Sequence, residues 1–274
     1  MDRPTKAKRG RAANLLLAAD EPAPTIVENA DGASPFFLNC DHAGKRIPRR
    51  LGSLGLPDTE LVRHIAWDIG AAAVARLLSR QLGATLVMQT YSRLVIDCNR
   101  APGVPTSIVT LSESSEVPGN RDLGADAVAG RVREIFNPYH DRIVQLLDQR
   151  QQRGRPTMLV AMHSFTPVFK GVSRPWHIGI LYNRDRRLAA VMLDLLRAET
   201  GLVVGDNEPY AVSDLTDYTI PVHGEQRGIL HVEIEVRQDL IAEPAGQSAW
   251  ADRLARVLTA AQQRLTVGNG PAAA

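Results

Sequence analysis

Short apolar runs and longer amphipathic stretches alternate along most of the chain. Runs of about four to eight apolar residues, often β-branched, predict buried strands, and apolar positions spaced three and four apart predict helices. The predicted strands cover residues 35–40, 84–99, 156–164, 176–183, 202–207 and 228–241. The predicted helices cover residues 58–83, 126–154, 186–201 and 246–266.

This alternation predicts one α/β domain with a mixed, mostly parallel sheet sandwiched by helices. We expect that domain to span residues 31–268, after a disordered basic tail at 1–30 and before a flexible end at 269–274. Residues 105–124 form a long polar stretch without periodicity. A loop of that length in a compact domain is usually functional or mobile.

Composition excludes several classes of protein. The 274 residues are 44% hydrophobic and 23% charged with a net charge of +2, which is typical of a globular protein and gives no reason to expect a nucleic-acid partner. No apolar run approaches the roughly 20 residues of a membrane span. The two cysteines, Cys40 and Cys98, form no extracellular framework, so we expect buried thiols and a cytoplasmic location.

Polar residues stand at the ends of three predicted strands. Asp41 and His42 follow the first, residues 97–100 end the second, and His163 ends the third. Parallel strands present their carboxyl ends at one edge, where α/β sheets bind ligands. A histidine at a strand end is often structural, but His42 and His163 together are candidate zinc ligands that require a third, carboxylate ligand.

Several acidic and basic residues have two interpretations each. Asp68 lies among apolar neighbours, so it is a metal ligand, a ligand's partner, a cap or half of a salt bridge. Asn99 and Arg100 either bind a turn or recognise a carboxylate. Glu233 and Glu235 share one face of their strand, which is either a solvated edge or a cleft that holds a general base.

The remaining motifs narrow the chemistry. Gly-rich phosphate loops, the G-x-S-x-G elbow and the H-E-x-x-H zinc motif are all absent. Ser164 follows a histidine, so a serine amidase is a third reading of the chain besides a metal enzyme and a binding module. His140 and His223 are the favoured accessory groups among the other histidines.

Six motifs resemble those of the N-formylglutamate amidohydrolase family, in the order in which that family has them. They are CDHAGKRIP, HIAWDIGA, YSRLVIDCNR, NPYHDRI, MHSFTP and VEIEVRQDLI, spread over residues 35–242. That family is similar to the zinc carboxypeptidases and aspartoacylases. The resemblance implies their phosphorylase/hydrolase-like fold and one zinc ion per chain in a cleft at the strand ends.

The resemblance also implies the metal ligands. His42 and His163 match the two histidine ligands of the class. The glutamate that usually follows the first histidine by three positions is replaced here by Lys45. Asp68, in the DIG motif, is therefore the expected third ligand.

The other roles follow from the same resemblance. Glu235 is the expected base and acid. Arg93 is expected either to stabilise the oxyanion or to be a second basic group for an acidic substrate. Asn99 and Arg100 would hold the substrate carboxylate, with His223 as a further substrate-binding residue.

These roles describe a zinc-dependent amidohydrolase acting on a small N-acyl amino acid. The expected reaction hydrolyses the N-formyl or another N-acyl amide of an acidic amino acid such as N-formylglutamate, releasing formate when the acyl group is formyl. The alternative is a non-catalytic carboxylate-binding module on the same fold. Neither a nucleic acid nor a membrane is expected as a partner.

Overall fold

A seven-stranded sheet lies at the centre of the computed structural model, which describes residues 15–267. The strands are β1 (Thr25–Glu28), β2 (Phe36–Cys40), β3 (Thr85–Gln89), β4 (Met158–Phe165), β5 (Ile178–Leu181), β6 (Val204–Asp206) and β7 (Leu230–Arg237). Residues 1–14 of the predicted tail and the predicted flexible end lie outside the described residues.

The strand order across the sheet is β1-β3-β2-β4-β7-β5-β6. The four inner neighbours β3, β2, β4 and β7 are parallel. At the two edges, β1 is antiparallel to β3 and β5 is antiparallel to β7, while β6 runs parallel to β5. The prediction of a mixed, mostly parallel sheet is confirmed. Because the inner strands share one direction, their carboxyl ends meet at one edge.

Helices cover both faces of this sheet, as predicted. They are α1 (Asp58–Leu61), α2 (Ala71–Leu82), α3 (Ala125–Arg131), α4 (Asn137–Gln152), α5 (Arg187–Arg197) and α6 (Pro244–Val267). One core cluster joins α2, α5 and α6 to the first face, and a second joins α4 to the other. Of the helices in the described part of the chain, none is long and apolar enough to cross a membrane.

The two faces of the sheet differ in polarity because side chains alternate along each strand. In β7, Val232, Ile234 and Val236 join the core under α2, α5 and α6. Glu233 and Glu235 point to the opposite face, and both are buried. That second face is apolar under α4 and becomes polar toward the carboxyl ends of the strands.

Two predicted elements are shorter than expected. Of the predicted strand 84–99, only Thr85–Gln89 pairs in the sheet, and residues 93–99 form turns. Leu94, Val95 and Ile96 are buried all the same, because they belong to the core cluster under α4. The guanidinium of Arg131 donates to the Val95 carbonyl oxygen at 2.8 Å and holds this turn in place. Apolar residues buried in a turn therefore produced the pattern that we interpreted as a strand.

The predicted helix 58–83 is interrupted between α1 and α2. Residues 62–69 are not helical, and Gly70, with a φ of +81°, directly precedes α2. A Cβ at this position would lie 2.2 Å from the carbonyl oxygen of Ile241. Asp68 consequently lies in a loop, and its backbone N–H donates to the carbonyl oxygen of His42 at 3.0 Å. This bond joins the loop before α2 to the segment after β2.

Two segments are more ordered than the sequence indicated. Residues 25–28, placed in the predicted tail, form the edge strand β1 and pair with β3. The polar stretch 105–124 contains a small hairpin, Leu111–Ser112 with Ser115–Glu116. These strands are only two to four residues long, so they carry little of the hydrophobic periodicity that identifies a strand.

Gly44 lets the segment after β2 approach the segment after β3. A Cβ at this position would lie 1.9 Å from the carbonyl oxygen of Thr90. Ser92 donates from its backbone N–H to the carbonyl oxygen of Arg46 at 2.8 Å, which holds the two segments together just beyond this contact. His42 precedes the contact directly, so the glycine helps to position it.

Gly44→Ala should lower the free energy of unfolding by about 2 kcal/mol or more, because the new methyl group meets backbone that cannot move aside. Gly124→Ala is the matched control, since a Cβ there meets nothing within 4 Å. Denaturant titration of both variants checks this expectation. Equal stability of the two would contradict the close approach at Gly44.

Candidate functional site

A cavity of about 470 Å³ opens at the carboxyl ends of β4 and β7. Seven of the eight predicted site residues line it: His42, Asp68, Arg93, Asn99, Arg100, His163 and Glu235. They come from strand ends and from loops that are far apart in the sequence. The parallel direction of the inner strands explains why they meet here.

His42, Asp68 and His163 form a buried cluster whose ligand atoms all lie within 4.8 Å of one another. Nδ1 of His163 is 2.9 Å from Oδ2 of Asp68, and Nδ1 of His42 is 3.4 Å from the same oxygen. Two imidazole nitrogens therefore face one carboxylate oxygen.

The other nitrogen of each imidazole contacts a second aspartate. Nε2 of His42 donates to Oδ1 of Asp97 at 2.7 Å, and Nε2 of His163 donates to Oδ2 of Asp41 at 3.2 Å. Burial raises the pKa of each of these aspartates, but nearby positive charge outweighs burial and lowers it. Ionised carboxylates accept hydrogen bonds, so they fix a proton on Nε2 and leave Nδ1 directed at Asp68.

Asp41 is held by two hydroxyl groups. Tyr139, on α4, donates to Oδ1 of Asp41 at 2.8 Å, and the Thr219 hydroxyl donates to the same oxygen at 2.9 Å. Asp97 is held by Arg93, whose Nη2 donates to Oδ2 at 2.7 Å. Both histidine partners are thus fixed by groups outside the cluster.

The cluster fits a divalent metal ion. Nδ1 of His42 is buried and has no hydrogen-bond partner among the described residues. Burial disfavours a charged His163, yet Glu233, Asp41 and Asp68 raise its pKa well above the usual value. The site therefore favours positive charge between these groups, and two nitrogens with one carboxylate oxygen are a donor set typical of zinc.

Lys45 takes no part in this cluster. Its side chain is exposed and its Nζ lies 4.9 Å from the centroid of the Trp67 ring, beside Asp68 in the sequence. A carboxylate is supplied instead by Asp68, from the loop that Gly70 ends. Asp68 therefore places a carboxylate beside the two histidines, although position 45 is a lysine.

Two glutamates of β7 lie next to the cluster. The strand register places Glu235 opposite His163, and Oε2 of Glu233 is 4.0 Å from Nε2 of His163. Burial raises the pKa of each glutamate to about 8. Oε2 of Glu235 is buried without a hydrogen-bond partner in the described part of the chain. Groups with such pKa values can exchange protons near neutrality.

Asn99 and Arg100 lie on the wall beside Glu233. Oδ1 of Asn99 accepts from the backbone N–H groups of Tyr218 and Thr219, each at 3.0 Å, so this amide anchors the neighbouring loop. The Arg100 guanidinium donates to the Asn99 carbonyl oxygen at 2.9 Å, and its Nη1 is 3.6 Å from Oδ1 of Asp217.

The structure does not bring His223 to the cavity. Its Nε2 lies 2.9 Å from Nδ1 of His140 in a buried, stacked pair, and Nε2 of His140 donates to the carbonyl oxygen of Cys98 at 2.8 Å. Burial lowers the pKa of His140 to about 4 and that of His223 to about 3, so both rings are neutral. The pair supports the loop that carries Asn99 from behind.

Sequence reasoning gave Asp41 and Asp97 no role, although both stood at predicted strand ends. The sequence did contain a sign of their roles: Asp41 directly precedes His42, and Asp97 precedes Asn99 by two positions. Ser164 lines the cavity, but its hydroxyl donates to the Ile69 carbonyl oxygen at 2.8 Å and contacts no base among the described residues.

Comparison with known proteins identifies one family. The family model described as N-formylglutamate amidohydrolase matches residues 34–242. A search of curated proteins gives no significant match.

Two solved structures are similar over nearly their whole length. A gene product of Agrobacterium tumefaciens is 41% identical with a TM-score of 0.89, over 92% of this chain and 99% of that one. An N-formylglutamate amidohydrolase from Ralstonia eutropha JMP134 is 20% identical with a TM-score of 0.70, over 88% of this chain and 98% of that one. The second likeness concerns the fold alone, whereas the family match covers most of the sequence and includes the cavity residues. The chain belongs to the N-formylglutamate amidohydrolase family.

Proposed function

We propose that the protein is a zinc-dependent amidohydrolase that removes the N-formyl group from an acidic amino acid such as N-formylglutamate, releasing formate and the free amino acid. The observation that carries this proposal is the contact of two imidazole Nδ1 atoms with one oxygen of Asp68. Each imidazole is held by a further aspartate. Such an arrangement fixes the orientation of the two imidazoles toward a metal ion.

His42, Asp68 and His163 are the residues that would hold the zinc ion. Bound there, zinc supplies Lewis-acid chemistry, because it polarises a carbonyl group and lowers the pKa of a nearby water. Asp97 and Asp41 keep the two imidazoles in the orientation that this binding requires. Loss of either aspartate would therefore weaken metal affinity without removing a ligand.

Glu235 acts as the proton carrier of the reaction. As the attacking water forms its bond to the formyl carbon, Glu235 takes the proton that the water loses. It then donates this proton to the leaving nitrogen as the carbon–nitrogen bond breaks, so the carboxylate is regenerated. Its unpartnered Oε2, next to His163 in the strand register, supports this assignment over Glu233.

Arg93 stabilises the negative charge that develops on the carbonyl oxygen. Its side chain lines the cavity and is held by Asp97, with Nη1 3.5 Å from Oδ1 of Asp68. A guanidinium that is fixed before the reaction needs little reorganisation when the charge appears. Arg100 binds the α-carboxylate, and Asn99 fixes the loop from which Arg100 projects.

A panel of N-formyl and N-acetyl amino acids, assayed with and without a chelator, tests the proposal directly. We expect hydrolysis of N-formylglutamate that a chelator abolishes and added zinc restores. Formate and the free amino acid should appear in equal amounts. Hydrolysis that survives exhaustive chelation would favour the serine amidase, and no hydrolysis of any acidic substrate would favour the binding module.

Elemental analysis of purified protein tests the metal site separately from activity. We expect one zinc ion per chain in the wild type, and loss of most of it in His42→Ala, His163→Ala and Asp68→Ala. His177→Ala is the control, because His177 contacts the backbone N–H of Val203 instead of the cluster. Equal zinc content in the control and in the three variants would rule out this ligand set.

Glu235→Gln should lower kcat by roughly 10²-fold to 10⁴-fold, because the amide cannot carry the proton, while zinc content stays near one per chain. Glu233→Gln, on the same face of β7, is the matched comparison and should retain more activity. Steady-state kinetics with metal analysis decides between them. A larger loss of kcat in Glu233→Gln would transfer the role to Glu233.

A further inference from the structure

Arg174 packs against three aromatic side chains that line the cavity. Its guanidinium carbon is 5.9 Å from the ring centroid of Phe165, 4.6 Å from that of Phe169 and 4.7 Å from that of Tyr210. Its Nη1 also donates to the Tyr210 hydroxyl at 2.8 Å. Three aromatic rings of the cavity lining therefore hold this guanidinium in place.

Arg174 differs from Arg93 and Arg100, the two arginines that line the cavity, because its charge is not paired with a carboxylate. Arg93 contacts the carboxylates of Asp97 and Asp68, and Arg100 has Asp217 at 3.6 Å. Within residues 15–267, no carboxylate oxygen of an aspartate or glutamate lies within 4.0 Å of a guanidinium nitrogen of Arg174. A guanidinium stacked on aromatic rings keeps its N–H edge for a carboxylate, which it can bind through two hydrogen bonds.

The aromatic wall begins next to the reacting centre. Phe165 follows His163 by two residues on the same strand, so their side chains leave the same face about 7 Å apart. Glu235 lies opposite His163 in the register. A substrate whose amide lies at His163 and Glu235 can thus extend its side chain along Phe165 toward Arg174.

We propose that Arg174 is a specificity-determining residue that binds the side-chain carboxylate of the N-acyl amino acid, while Phe165, Phe169 and Tyr210 cover its methylene groups. This inference rests on the proposed function and limits the class of substrate further. Arg100 binds the α-carboxylate and Arg174 the second carboxylate, so the substrate is an N-acyl dicarboxylic amino acid. A substrate of the same shape without the second charge would leave Arg174 unpaired.

N-Formylglutamate and N-formylglutamine provide the test, because they have nearly the same shape and differ in side-chain charge. We expect the wild type to prefer N-formylglutamate in kcat/KM. In Arg174→Gln this preference should fall by about 10-fold to 100-fold, mainly through a higher KM for N-formylglutamate, as expected for a lost hydrogen bond to a charged group. Arg174→Lys retains the charge and should recover part of the preference.

Arg186→Gln is the matched control. Arg186 also stacks on a tyrosine, Tyr182 at 5.4 Å, but it pairs with Asp206, and Tyr182 does not line the cavity. Its substitution should leave the preference unchanged. Thermal unfolding of each variant checks that the aromatic wall remains folded, and Tyr210→Phe, which retains the ring, gives a second variant with a weakened hold on Arg174.

The outcomes separate this inference from the function on which it rests. A wild type that hydrolyses both substrates equally well, or an unchanged preference in folded Arg174→Gln, overturns the role of Arg174 and leaves the amidohydrolase intact. A wild type that hydrolyses neither these two substrates nor any other N-acyl amino acid overturns both.

Discussion

The contact between Asp68 and the two histidines is the constraint on which the rest of the site depends. A buried carboxylate and two buried imidazoles lose their hydration, and this loss is tolerated only where charges and hydrogen bonds compensate it. Asp41 and Asp97 compensate one histidine each, and Arg93 balances the two aspartates nearest to it. The cluster is therefore a network in which each charge has a neighbour of opposite sign, with positive charge favoured at its centre.

The backbone has to bring three distant segments to this contact. The parallel strands β2 and β4 deliver His42 and His163 to the same edge, but Asp68 comes from a loop with no strand to guide it. The turn at Gly70 and the bond from the Asp68 N–H to the His42 carbonyl oxygen fix that loop. The close approach of Gly44 to Thr90 fixes the segment after His42. Close backbone approaches at two glycines are thus as necessary to the site as its ligands.

The sequence predicted those features that have a local pattern. Periodicity identified the inner strands and helices. The strand-end rule brought His42, His163 and residues 97–100 to one edge, and the family resemblance added Glu235. Periodicity could not distinguish a buried turn from a strand at residues 93–99, because the Arg131 guanidinium that ties down this turn is 36 residues from Val95. For the same reason we expected His223 to bind substrate, because no residue near it in the sequence indicates that it is buried against His140, which is 83 residues away. Partners at such separations leave no mark on the local pattern.

Charge in the cavity shows why an acidic substrate needs specific arginines. Acidic residues outnumber arginines along its lining, where the aspartates and glutamates are Asp68, Asp97, Glu113, Asp217, Glu233 and Glu235. Burial keeps the pKa of both β7 glutamates near 8, which removes part of this negative charge at neutral pH. The carboxylates that remain ionised still repel an anionic substrate, except at positions where a guanidinium is closer to the substrate than any carboxylate is. Arg93 is held by Asp97 and Asp68 next to the reacting carbonyl group, so recognition of the substrate carboxylates falls to Arg100 and Arg174. Selectivity in this cavity must therefore arise from the position of individual guanidinium groups, since its net charge does not provide it.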